Sequence, residues 1–149
     1  MKTLYQDSSY NEITERLDKL NLSAKREWGK MTVSQMMAHC CAPLEVAMGR
    51  KSPPRLFIGR LLGGLMKGAY VGEKQFSKNS PTDKSFLVID ERNFEQEKAT
   101  LEKLLKEFHD GGPEKSTTHP HSFFGKLTAE EWGISMYKHM DHHLRQFGA

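Results

Sequence analysis

The chain has 149 residues, of which 37% are hydrophobic, and 22 Lys and Arg against 19 Asp and Glu give a net charge of +3. That length buries one core without staples, so a single domain over residues 1–149 is expected. The mild charge, with no long basic tract, argues against a nucleic-acid partner. No run of about 18 uncharged apolar residues is present to span a membrane, so no membrane partner is expected.

The opening stretch Met1–Ser9 lacks the apolar centre of a signal peptide. The only cysteines, Cys40 and Cys41, are adjacent and badly placed to bridge each other on a helix. A reduced, cytoplasmic protein is the expectation.

The first helix is expected from Ser9, where Ser9-x-x-Glu12 matches a capping box, and Tyr10, Ile13, Leu17 and Leu20 recur at helical spacing. Residues 21–30 form a connection in which Trp28 packs over the end of the helices. The second helix opens on another box, Thr32-x-x-Gln35. Its apolar face is Val33, Met36, Met37, Cys40, Leu44 and Ala47, with His39 at the edge and Gln35 one turn before it. Pro43 has no N–H for the carbonyl of His39, so the helix is expected to bend or stop there and free that carbonyl near His39. Cys40 falls in the middle of the apolar face and Cys41 looks peripheral; with no positive neighbour to lower either thiol pKa, both read as structural.

Residues 49–89 make a long crossover. Within it Arg55–Ala69 reads as a short helix lying across the others, with a membrane-surface segment or a dimer contact as the alternative. Gly63-Gly64 is no phosphate loop, because no Gly-Lys-Ser/Thr ending follows. The third helix is expected from Asp90 to the stop at Gly111-Gly112-Pro113, with Phe94, Leu101, Leu104, Leu105 and Phe108 facing the core. Its Glu and Lys residues read as a solvated face. The loop from Ser116 to the capping box Thr128-x-x-Glu131 delivers His119 and His121, either of which could serve as an acid, a base or a replaceable ligand.

The last helix carries Tyr137-Lys-His-Met-Asp-His-His-Leu-Arg-Gln-Phe147. With His139 at zero and about 100° per residue, His143 falls near 40° and His142 near 300°. Trp132, Met136, Met140 and Leu144 mark the buried arc, with His143 inside it and His139 at its edge. His142 points away, towards Lys138, Arg145 and Asp141. A lone histidine here would cap the helix dipole; a same-face pair beside an apolar arc points to a shared ion, with His39 as third ligand. Gln35, Ser135, Gln146 and His142 are candidates for supporting the ligands or touching a substrate. Four helices with a long second connection describe an all-α four-helix bundle with a crossover between helices 2 and 3, an architecture that often builds metal sites in its interior.

Three blocks of sequence carry a family resemblance: Trp28-Gly-Lys-Met-Thr-x-x-Gln-Met-Met-Ala-His39, then His119-Pro with Phe124-Gly-Lys-Leu-Thr128, then Trp132-Gly with Lys138-His-Met-Asp-His-His-Leu-Arg-Gln-Phe-Gly148. Together they resemble an uncharacterised branch of the DinB/YfiT-like superfamily. The resemblance implies a four-helix bundle and a divalent metal held by one histidine on the second helix and an i,i+4 pair on the fourth, which map onto His39, His139 and His143. The run His119-Pro-His-Ser-Phe-Phe-Gly is longer than the His-Pro-Phe-Gly expected, leaving open which of His119 and His121 faces the site. The wider superfamily includes S-transferases and isomerases that use low-molecular-weight thiols, while this branch has no assigned reaction.

The expected function is a metal-dependent enzyme acting on a small molecule. Three imidazoles leave one position on the metal open for water or a thiolate; zinc is the first choice of ion, and nickel, copper and iron(II) also suit imidazole. Thiol-dependent transfer and hydrolysis both fit, and no further catalytic residue is identified. The alternative is a non-catalytic binding module in which the histidines are structural. A homodimer is expected by analogy with other small bundles.

Overall fold

Helices α1 (Asp7–Asp18), α2 (Val33–Ala47), α3 (Phe57–Val71), α4 (Phe94–Gly111) and α5 (Ala129–Gln146) account for the regular structure, with two 3₁₀ turns at Lys84–Phe86 and Pro113–Lys115 and no strand. A computed structural model describes residues 1–149. The chain is therefore all-helical, with five α-helices.

The caps explain where the two histidine-bearing helices begin. Thr32 accepts from Gln35 N while the Gln35 side chain accepts from Thr32 N, and Thr128 and Glu131 repeat the arrangement at α5. Each box satisfies two of the free N–H groups of a first turn. The expected box at Ser9 does not form. Helix α1 starts two residues earlier, at Asp7, because the buried Ser9 hydroxyl bonds Gln6 and Glu12 is held by Lys2 and Tyr137. Helix α4 likewise starts later than Asp90. Asn93 caps it by accepting from Gln96 N, while Asp90 pairs with Arg92.

Pro43 neither stops α2 nor ends its pairing: the helix runs on to Ala47, and Met48 N still donates to Leu44 O. Leu44, Val46 and Ala47, all beyond the proline, are buried against the neighbouring helices. Burial at roughly 1.5–3 kcal/mol for each large aliphatic side chain offsets the one lost hydrogen bond. Cys41, read as peripheral, is also buried, its thiol directed at the Met37 carbonyl.

Helix α2 packs chiefly on α4, and α5 packs on both α1 and α2. Ile13, Met36, Leu105, Met136 and Leu144 meet in this shared interior, each at most 1% exposed. Helix α3 stands apart. It is fifteen residues long, the length of the expected Arg55–Ala69 segment shifted by two residues, and α5 is the one helix it touches. Gly59 and Gly63 let it sit flat on the chain around Phe123, whose backbone a Cβ at either glycine would overlap. Gly64, by contrast, faces open space.

That contrast is testable. Gly63→Ala should destabilise the protein by about 1–3 kcal/mol through forced displacement of α3. Gly64→Ala should be neutral, or stabilise by up to about 1 kcal/mol by restricting the unfolded chain. Equal urea midpoints for the two variants would contradict this seating of the helix.

Candidate metal centre

His39 comes from the middle of α2, and His139 and His143 come from successive turns of α5. The rings converge: centroid separations are 4.6 Å for His139–His143, 4.8 Å for His39–His143 and 5.0 Å for His39–His139. One nitrogen from each lies within 4.8 Å of the other two, so this group could hold a metal ion. His39 Nε2 and His139 Nε2 are 3.1 Å apart, near the roughly 3.3 Å edge of a tetrahedron built on Zn–N bonds of about 2 Å. His39 and His143 are buried, while His139 keeps partial exposure.

Two hydrogen bonds decide which nitrogen of each buried ring faces inward. His39 Nδ1 lies 2.8 Å from the Phe86 carbonyl and must donate to it, leaving the Nε2 lone pair directed at the other rings. His143 Nδ1 donates to Gln146 Oε1 at 2.8 Å, with the same result. Gln146 is itself fixed, because its Nε2 donates to the Trp28 carbonyl at 2.9 Å. Gly29 packs against that amide so closely that a Cβ would overlap it, and its φ of +80° suits glycine. The Trp28-Gly29 pair therefore has a positioning role as well as a packing one. Such partners set ring orientation and raise ligand basicity in metal sites.

The electrostatics favour neutral donors. Burial pushes His39 below the usual histidine range, and burial together with the like charge of His39 brings His143 down to about 3. Burial, then His143 and His39, hold His139 well below its usual value. Asp141, the carboxylate nearest in sequence, is directed to Arg16 and Arg145 instead. The three lone pairs are thus free for a metal at neutral pH, with little competition from protons.

The other expected residues divide. Gln146 supports a ligand, as described. Ser135 is fully buried one turn before His139, and its hydroxyl donates to the Trp132 carbonyl. Gln35 is not brought to the cluster: its two polar atoms are engaged by Thr32 N and the Asp90 carbonyl. His142, expected to point away towards Lys138, Arg145 and Asp141, is buried, with its ring 5.7 Å from Trp28, 6.0 Å from Phe76 and 5.0 Å from His143. The crossover covers that flank of α5, which helical phase alone could not show.

His119 and His121 are not brought to the cluster either. His119 is exposed on its loop. His121 shapes a tight turn, exchanging backbone hydrogen bonds with Gly125 and accepting from Phe123 N on its Nδ1. Its ring neighbours are Tyr70, Phe124 and Trp132, and burial lowers it to about 4. Burial raises both thiols, Cys41 to about 12 and Cys40 well above its usual value, so neither is primed as a nucleophile. Sequence reasoning missed the Phe86 carbonyl. It lies in the turn Lys84–Phe86, capped by Asp83, and a backbone acceptor leaves no residue signature.

The low histidine values set a pH dependence for the metal-free protein. Unfolded histidines titrate near 6.5, above the folded values, so between the two the unfolded chain binds more protons and stability rises with pH. Stability should be complete above about pH 6.5 and fall below it, at up to roughly 1.4 kcal/mol per pH unit for each such histidine. The urea midpoint should drop between about pH 7 and pH 5, and the drop should be smaller in His143→Gln. A flat midpoint over that range would contradict the buried, neutral assignment.

A family model described as "Protein of unknown function (DUF1569)" matches residues 3–149, so the chain belongs to that family. Neither the curated proteins nor the solved structures contain a match to it.

Proposed function

We propose that this member of the DUF1569 family is a divalent-metal-dependent enzyme acting on a small molecule, with His39, His139 and His143 as ligands, and that the family is a branch of the DinB/YfiT-like superfamily. The observation that carries the metal reading is the convergence of three imidazoles, two of them locked by Nδ1–H bonds that turn Nε2 inward. The superfamily reading is supported by the helix order. Helices α1, α2, α4 and α5 pack on one another, and α3 lies in the long connection between α2 and α4, as in a four-helix bundle with a crossover.

The donor set fits such an ion: three neutral nitrogens, no carboxylate, and one partly exposed ring. Zinc is our choice, with nickel and iron(II) next, since imidazole suits all three. When bound, the ion supplies Lewis acidity, which lowers the pKa of coordinated water to about 7 or holds a coordinated thiol as thiolate. Phe86 and Gln146 keep the rings oriented, and the Trp28-Gly29 loop keeps Gln146 in place. Either thiol-dependent transfer with a low-molecular-weight thiol or hydrolysis is compatible with this set, and neither needs Cys40.

Metal analysis of untagged protein tests the proposal. It should bind close to one equivalent, and less than about a tenth of an equivalent after reconstitution would overturn the metal reading. His39→Ala and His139→Ala should each abolish binding. Gln146→Leu, which keeps all three ligands, should weaken metal affinity by about 10–100-fold in a competition titration with a chromogenic chelator. Unchanged affinity in Gln146→Leu would mean that His143 is oriented by something else.

A further inference from the structure

Helix α3 is fastened to the protein with its apolar side turned outward. With Phe57 at zero and about 100° per residue, Phe57, Leu61, Leu65, Ile58, Leu62 and Met66 all fall between about 0° and 180°, and Arg60 and Lys67 lie outside that half at about 300° and 280°. The half-circle therefore carries no charge. Its side chains are open to solvent, with Phe57 77%, Leu61 68% and Leu65 85% exposed.

The opposite side is held along its whole length. Arg55 donates to the carbonyls of His121 and Gly59, Gly59 and Gly63 rest on the backbone around Phe123, and Lys67 donates to the Lys126 carbonyl and pairs with Glu131. At the C-terminal end Lys138 donates to the carbonyls of Ala69, Tyr70 and Gly72, at 3.0, 2.8 and 2.7 Å. A helix end leaves such carbonyls free, and a cation there is well placed. Rolling α3 to bury its leucines would break the bonds that tie it to His121, Lys126, Glu131 and Lys138.

We propose that α3 docks this face onto an anionic lipid surface, lying in the interface plane. Charge complementarity selects that occupant. From Val46 to Thr82 the chain carries seven Lys or Arg and one acidic residue, Glu73; Arg50, Lys51 and Lys67 pair with Glu107, Glu45 and Glu131, which leaves Arg60, Lys74 and Lys78 as exposed cations without an ion pair. Arg60 and Lys74 are exposed, and Lys126 lies exposed beside Lys67. An apolar face flanked by basic residues is the pattern of interfacial helices, which gain from apolar burial and from attraction to anionic headgroups together.

Two observations count against other occupants. One face of a fifteen-residue helix offers several hundred Å² at most, short of the roughly 800 Å² that each partner contributes to a standard protein pair. A second copy would also bring an equally basic flank against this one. Crossing is excluded, since no helix is long and apolar enough. The expectation of no membrane partner rested on the lack of a spanning segment, which an interfacial helix does not need.

Co-sedimentation of the full chain with vesicles decides the matter, using phosphatidylcholine alone and phosphatidylcholine mixed with phosphatidylserine. The wild type should pellet with the mixed vesicles at low salt, several-fold less at high salt, and stay in solution with phosphatidylcholine alone. Leu61→Glu/Leu65→Glu should remove binding, and Arg60→Gln should weaken it several-fold. Both changes are on exposed side chains, so thermal midpoint and metal content should not move, and the single Leu65→Glu serves if the double variant fails to fold. Wild-type protein left in the supernatant with mixed vesicles at low salt overturns the proposal. So does a dimer in sedimentation equilibrium that Leu65→Glu converts to monomer without any vesicle binding. The vesicle result is independent of metal content, so failure here and failure of the metal centre are separate outcomes.

Discussion

The hydrogen bond from His39 Nδ1 to the Phe86 carbonyl joins α2 to the crossover, and the bond from His143 Nδ1 to Gln146 joins the end of α5 to the Trp28 loop. A neutral imidazole carries one N–H, so occupying Nδ1 with an acceptor commits Nε2 to being a lone pair. Two such commitments from different directions aim lone pairs at one point, and burial disfavours the protonation that would spoil them. The candidate centre depends on these two contacts as much as on the histidines themselves.

Helix α5 links the centre to the rest of the molecule. Its capping box fixes its start, its buried face packs on α1 and α2, and two of the three candidate ligands lie one turn apart along it. Lys138, next to His139 in sequence, reaches the opposite way to bind the last carbonyls of α3. One helix thus carries two of the candidate ligands and holds the outward-facing amphipathic helix, which makes α5 the mechanical connection between the centre and the proposed docking face.

The interior thiols illustrate how burial removes chemistry as readily as it creates it. Cys40 and Cys41 sit one and two residues beyond His39, yet both are buried and both are driven towards the protonated thiol. The histidines of the same region become better metal donors under the same desolvation, because for imidazole the neutral form is the one that binds a metal.

Helical period alone determined that His139 and His143 share an edge of α5 and that His39 occupies the equivalent edge of α2, because side-chain direction on a helix follows from spacing. The two capping boxes were legible for the same reason, being local exchanges of hydrogen bonds within four residues. Tertiary structure decided the rest. The start of α1 moved because Glu12 found Tyr137 across the fold, α2 ran through Pro43 because its far end is buried, and His142 was covered by a crossover whose path no local pattern specifies. The carbonyls of Phe86 and Trp28 that orient the ligands belong to the backbone every residue carries, so only their placement in space, more than forty residues from the side chains they bind, distinguishes them.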